Sequence, residues 1–262
     1  MGFLADRVIG LLLGLAVGDR NRGPTAMALH LAESLLERNG YDADDIGARY
    51  LQWWREGAYD TGPTAAGVLS LVNAGQTWEQ AARNADHALG GPAGCNPAHR
   101  CAPLAICHQI MDSELSEVAF REARLTHLHP LSGDVAAAMS CLCRELVKGV
   151  SWPNALALAA QDRLEATQRA LRTGTPEKLS RSGFAPDVLH AAIHFVDTST
   201  TLPLALTRSI AFAGPANYCP VLAGAIAGAR WGCAGISEAD LQHHGNLLSR
   251  LRSIALEFAE RI

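Results

Sequence analysis

Apolar residues along this chain recur at three- and four-residue spacing, and no sustained alternation of β-branched residues interrupts them. That period lays one apolar stripe along each of a succession of helices. The first apolar run, Val8 to Val17, predicts a buried helix ending at Gly18-Asp19. Its glycines Gly10, Gly14 and Gly18 fall four apart on one face, which leaves room for a second helix to pack closely. Pro24 to Glu37 follows, with Met27, Leu31 and Leu35 on its stripe and Asn39-Gly40 as its stop. Further helices are predicted from Asp44-Asp45 to about Gly57, and over Pro63 to Asn73, Trp78 to Leu89, Pro97 to Met111, Glu114 to Leu125, Gly133 to Val147 and Trp152 to Leu171. The last third predicts Pro186 to Val196, Pro203 to Ala213, Pro215 to Arg230 and a long helix from Glu238 to about Glu260. The expected fold class is all-α, a single-domain orthogonal helical bundle spanning residues 1–262, with Gly174 to Gly183 as a surface loop.

A Gly-Pro step recurs where these helices begin, at Gly23-Pro24, Gly62-Pro63 and Gly214-Pro215, and Asn96-Pro97 suggests a further start with Asn96 as the N-cap. Proline suits the first helical position because its fixed φ is already helical and its missing N–H would have had no partner there. Helix N-termini carry partial positive charge, so several meeting at one place would favour an anion. Taken singly, each step is simply a good helix start.

Composition narrows the function classes. The 262 residues are 48% hydrophobic and 18% charged, enough for a substantial core. A formal net charge of −4 gives no general attraction to nucleic acid. The N-terminal apolar run lacks a basic n-region and is too short and glycine-broken to span a bilayer. Seven cysteines without zinc or redox spacing point to a reduced cytoplasm and to no metal held by Cys and His.

Several blocks carry a family resemblance. They are Ile9-Gly10-Leu11-Leu12-Leu13-Gly14-Leu15-Ala16-Val17-Gly18-Asp19, Thr25-Ala26-Met27-Ala28-Leu29 with Glu33-Ser34-Leu35, Tyr50 to Tyr59, Arg100 with Ala102-Pro103-Leu104-Ala105, Thr126-His127-Leu128-His129-Pro130, and Gly224 to Ala229. In that order the chain resembles the ADP-ribosylglycohydrolase family. The resemblance implies an all-α hydrolase fold whose usual members bind two magnesium ions and cleave the glycosidic bond of ADP-ribose.

The departures fall on the metal ligands. Where the family pattern has Thr-Asp-Asp-Thr, this chain has Arg22-Gly23-Pro24-Thr25. Where it has Gly-Asp-Ala-Asp-Thr, this chain has Gly214-Pro215-Ala216-Asn217-Tyr218. Hard divalent cations need several anionic oxygens, so no metal and no other cofactor is expected here. Asp60 aligns with a remaining family aspartate.

The residue types left suggest a different chemistry. Asp60 is the candidate catalytic carboxylate, or else an N-cap acceptor for the helix that follows. His127 and His129 read as an acid–base pair or phosphate contacts, or singly as core histidines. The candidate substrate-binding set is Thr25, Thr61, Thr64, Asn96, His99, Arg100, His129, Asn217, Tyr218 and Cys219, with Arg100 alternatively a brace between helices. Cys219 in a first helical turn reads as a lowered-pKa thiol or as an inert small hydrophobe. Two functional classes remain. One is a metal-independent hydrolase acting on an ADP-ribosyl, nucleoside or other N-glycosyl-type substrate. The other is a catalytically silent relative that binds a nucleotide-like ligand or a partner protein. In either, a net positive cleft favouring a small anionic or nucleotide-like ligand is expected, with neither nucleic acid nor membrane as partner.

Overall fold

The computed structural model describes residues 2–174, 178–216 and 218–261. Helices account for its regular structure: α1 (Phe3–Gly18), α2 (Gly23–Arg38), α3 (Ala43–Arg55), α4 (Pro63–Asn73), α5 (Trp78–Leu89), α6 (Asn96–Arg100), α7 (Ala102–Ile106), α8 (Asp112–Ala123), α9 (Pro130–Val147), α10 (Trp152–Ala159), α11 (Glu165–Ala170), α12 (Ala185–Asp197), α13 (Leu202–Ala213), α14 (Cys219–Trp231), α15 (Glu238–Leu241) and α16 (Leu247–Glu260). Among the described residues no strand forms, and the fold is an all-α single domain. A single main core runs from Val8 in α1 to Phe258 in α16, and a smaller cluster of Val68, Val72, Ala81, Ala82 and Ala85 joins α4 to α5. No described helix is long and apolar enough to cross a membrane.

α1 and α14 form the tightest pairing. A Cβ added at Gly228 would collide with the Gly10 carbonyl, one at Gly224 with the Gly14 carbonyl, and one at Gly18 with the Pro220 carbonyl. The glycine face predicted for the first helix is therefore met by glycines of α14, and the two backbones are in contact along the seam. Near its end, Asp19 is fully buried and works as an anchor. Its Oδ1 accepts from the Arg22 and Asn21 N–H groups (2.9 and 3.2 Å), and its Oδ2 accepts from Thr25 N–H (2.7 Å). That carboxylate fixes the start of α2.

Four predicted helices differ in extent, each for a local reason. Pro97 to Met111 is broken into α6 and α7, because Pro103 lacks the N–H that would continue the ladder. The buried guanidinium of Arg144 donates to the carbonyls of Leu104, Ala105, Cys107 and Ile110 at 2.6–2.9 Å, satisfying the C-terminal end of α7 and the turn beyond it. Trp152 to Leu171 divides into α10 and α11 around Asp162, which has a φ of 56°. The helix expected from Pro215 starts at Cys219 instead. Gly214 ends α13 with φ 60° and ψ −131°, Pro215 follows as an exit residue, and Pro220 occupies the true first turn. The long terminal helix is cut at Gly245 (φ 54°), where the short 3₁₀ turn of Gln242–His244 turns two imidazoles onto α1. His243 Nε2 donates to the Asp19 carbonyl (2.9 Å) and His244 Nε2 to that of Ala16 (2.7 Å).

The seam allows a direct check. Gly228→Ala forces its methyl group into the Gly10 carbonyl and is expected to cost about 1–3 kcal/mol or more of stability, the usual range for overpacking. Gly2→Ala, with open space around its Cβ, should leave the thermal midpoint unchanged. Equal midpoints for both variants would contradict the packing described.

Candidate active site

A cavity of about 270 Å³ opens where α2, α4, α6 and α14 begin. Its wall includes Pro24, Asp60, Thr61, Pro63, Thr64, Asn96, His99, His127 and Tyr218, together with Pro92, Gly94, Cys95 and Gly183. The residues Asp60, Thr61, Thr64, Asn96, His99, His127 and Tyr218, chosen from sequence, thus come together from four parts of the chain. Asp60 stands exposed in the wall with a φ of 49°, a conformation that Asp tolerates better than most residues. It does not cap α4, whose N-cap residue is Gly62.

Asn96 organises the wall beside it. Rather than capping α6, where Cys95 takes that position, its Nδ2 donates to the Thr61 carbonyl (3.2 Å) and its Oδ1 accepts from Arg100 Nη1 (2.6 Å). Arg100 is fully buried behind the wall, with Nε donating to Glu122 Oε1 at 2.7 Å, and the Tyr50 hydroxyl donates to the same oxygen at 2.9 Å. The Tyr50–Glu122–Arg100–Asn96 chain therefore fixes the backbone at Thr61, next to Asp60. Arg100 braces the site and does not line it.

Both histidines of the wall are neutral. Burial pushes His99 down to about 4 and His127 to about 3 from the ordinary 6.5. His99 Nε2 donates to the Tyr218 carbonyl (3.0 Å), so that nitrogen carries the ring proton, and the ring stacks on Tyr218 at 6.2 Å with a 12° interplanar angle. His127 pairs Nδ1 with the Thr126 hydroxyl (2.9 Å), and its Nε2 lies against Gly94, where a Cβ would come within 3.0 Å.

The remaining candidates fall outside the cavity. His129 caps α9, accepting from Leu131 N–H at 3.2 Å, so the two histidines do not act as a pair there. Thr25 is buried behind Pro24 with its backbone held by Asp19. Cys219 is in the first turn of α14 but is buried, and desolvation pushes its thiol up to about 12, the reverse of activation. Asn217 lies outside the described residues.

Sequence reasoning missed Gly94, Cys95 and Gly183. An isolated bridge between Gly94 and Phe184, with Cys95 N–H donating to the Gly183 carbonyl (3.2 Å), brings that loop to the wall. A contact of two residues across such a separation leaves no periodic signal. Glu122 was also missed, since one acid among the polar positions of a helix looks solvated.

The expectation of a positive cleft is corrected here. Among the described residues the wall contains no Lys or Arg. Nor does the donor set fit the two magnesium ions that the resemblance implies. Asp60 is the one carboxylate in the wall, and no three His, Cys, Asp or Glu side chains cluster among the described residues.

Comparison with known proteins places this chain in a family. The model of the ADP-ribosylglycohydrolase family matches residues 24–262. The chain belongs to the ADP-ribosylglycohydrolase family. It is 25% identical to ADP-ribosyl-[dinitrogen reductase] glycohydrolase of Rhodospirillum rubrum, over 87% of this chain and 86% of that protein. It is also 25% identical to an uncharacterized protein of Archaeoglobus fulgidus, over 81% and 73%. A solved structure titled ADP-ribosylglycohydrolase-related protein complex superposes with a TM-score of 0.81 at 27% identity, covering 99% of each chain. Membership supports ADP-ribosylglycohydrolase-type hydrolysis at the level of the family.

Two measurements test the buried chemistry. Arg100→Met leaves the Glu122 carboxylate buried and unpaired, so a loss of about 3–5 kcal/mol is expected in denaturant unfolding. Adding Glu122→Leu should recover a large part, and no recovery would contradict a paired charge. For the histidines, the unfolded chain takes up protons near pH 6.5 and the folded chain only near pH 3 to 4. Stability present above pH 6.5 therefore declines as pH falls toward 4. His127→Gln should flatten that decline, and an unchanged slope would mean that His127 titrates normally.

Proposed function

We propose that this chain is a metal-independent hydrolase of N-glycosyl-type bonds, acting on an ADP-ribosyl, nucleoside or related substrate in the cavity at the helix starts. The observation that carries the reading is Asp60, a carboxylate in a left-handed backbone conformation in the cavity wall, beside a backbone clamped by a buried ionic relay. Residues kept in sparsely populated conformations by surrounding structure concentrate at functional sites. With the anomeric carbon near Asp60, the C1–N bond breaks, water bonds to C1, and Asp60 takes the proton that the water loses. The departing nitrogen gains a proton from solvent. Asp60 also offsets the positive charge that develops on the sugar. In this reading Thr61, Thr64 and Asn96 hold hydroxyl groups of the substrate, and the His99–Tyr218 stack offers a face to a ring. Neutral His127 serves as a hydrogen-bonding group rather than a charged acid.

One observation favours the competing reading of a silent binder. Among its described residues the wall has no second carboxylate to complete the usual pair of a glycosidase, and His127 is not an imidazolium at neutral pH. All seven cysteines are free thiols, which supports a reducing compartment, the cytoplasm, for either reading.

Asp60→Asn separates the two. Turnover of an N-ribosyl substrate should fall by about 10²-fold, as removal of an acid or base usually produces. EDTA should leave turnover and thermal midpoint unchanged. Stoichiometric magnesium in the purified protein, or activity lost to EDTA and restored by magnesium, would overturn the metal-free mechanism.

A further inference from the structure

The imidazole of His127 is held at one nitrogen and open at the other. Its Nδ1 pairs with the Thr126 hydroxyl at 2.9 Å, and that buried hydroxyl makes no other bond among the described residues. A hydroxyl that donates to Nδ1 is satisfied, whereas one that accepts from Nδ1 leaves its own proton buried without a partner. The first arrangement is therefore favoured, and it puts the ring proton on Nε2. That nitrogen has no hydrogen-bond partner among the described residues, although the side chain is only 3% exposed. Nε2 and Cδ2 are the ring atoms that face Gly94, a residue of the cavity wall. Burial keeps the ring neutral, so this N–H is a hydrogen-bond donor and not an acid.

The backbone beside that donor leaves a slot. Gly94 bridges to Phe184, and Cys95 N–H donates to the Gly183 carbonyl at 3.2 Å, so Gly94 and Gly183 are neighbours across the bridge. Neither has the positive φ that would call for glycine. What both provide is room. A Cβ at Gly94 would come within 3.0 Å of His127 Nε2, and one at Gly183 within 3.3 Å of the Tyr218 ring. Tyr218 is 40% exposed and belongs to the same cavity wall, with its ring stacked on His99. A buried donor and an exposed aromatic ring thus border one space kept free of side chains.

We propose that this slot is the subsite for the departing group of the N-glycoside, and that the group is a planar heterocycle whose carbonyl oxygen or ring nitrogen accepts from His127 Nε2–H. The proposal rests on reading the cleft as a glycosyl site. An ammonium or guanidinium leaving group fits the slot badly, because it brings only donors to a nitrogen that is itself a donor. When the C1–N bond breaks, the heterocycle keeps the electron pair, and water supplies the pair that bonds to C1. Charge developing on the heterocycle spreads to the acceptor atom, where the hydrogen bond from Nε2 strengthens. The departing nitrogen then takes its proton from solvent, and His127 keeps its own. Tyr218 stacks on the flat face of the same ring.

Steady-state hydrolysis by the full chain provides the test. The probes are uridine and inosine, 4-nitrophenyl riboside, whose phenolate leaves without help, and ADP-ribosyl-arginine, whose guanidinium brings donors only. The chain is expected to cleave uridine or inosine with a higher kcat/KM than ADP-ribosyl-arginine. His127→Phe keeps a flat ring and removes the donor, and should lower kcat for that nucleoside by about 10²-fold, a loss about tenfold larger than for the nitrophenyl riboside. His127→Gln restores an N–H and should recover about tenfold of the loss. A preference for ADP-ribosyl-arginine, equal losses on the nucleoside and the nitrophenyl riboside, or no recovery with glutamine would each overturn the proposal and leave the glycosyl-site reading standing. If the wild-type chain cleaves none of the four, both are overturned.

Discussion

Backbone contact between α1 and α14 is the constraint on which the remaining structure depends. Helices normally pack with side chains between them at 8–10 Å, and only glycine on both faces permits closer approach. Here Gly10, Gly14 and Gly18 meet Gly228, Gly224 and Pro220 in order, so the seam fixes both rotation and register. Its consequence appears at one end. Gly18 leads directly into Asp19, which holds the start of α2, and Pro220 follows Tyr218, which forms part of the cavity wall. A slip of one helical turn would move Pro24 and Tyr218 apart by about 5 Å, since one turn rises 5.4 Å. The packing rule and the site geometry are therefore the same fact.

Buried charge does the corresponding work behind the wall. A desolvated ion pair is rarely better for stability than an apolar pair of the same volume. The Arg100–Glu122 pair instead defines geometry, because a guanidinium offers donors in a fixed fork and directs one of them to Asn96. Asn96 passes that order to the Thr61 carbonyl. Asp19 follows a similar logic toward backbone donors. Both devices turn their charge inward, and Asp60 is the single carboxylate among the described residues of the wall.

Much of this was legible in the sequence, and what was not has definite causes. The glycine face of α1 and the starts of α2 and α4 follow from spacing and from proline's fixed φ, both local properties. Pro215 misled because Gly214 and Pro215 form an equally good helix exit, and the choice between exit and start depends on Pro220 five residues later. Asn96 has the residue type of an N-cap, yet its side chain finds partners 4 and 35 positions away that no local rule reveals. His129 shares the extended approach to α9 with His127, but its ring is spent on capping that helix. Charge was the larger error. Counting helix starts and Arg100 suggested a positive cleft, whereas Glu122, 22 residues away, pairs Arg100, and Asp19, just before α2, takes up that helix's first N–H groups. Periodicity reports which face is buried and says nothing about which charges are paired.

The replacements at the cavity now have a common physical effect. Where the family resemblance implies an acid, Pro24 supplies an apolar ring to the wall, and Pro63 and Pro92 extend that surface. Asn96 is bonded through both its oxygen and its nitrogen, and His99 is held by the Tyr218 carbonyl. A wall whose polar groups are oriented by one another is preorganised, so a ligand entering it meets donors and acceptors already in place.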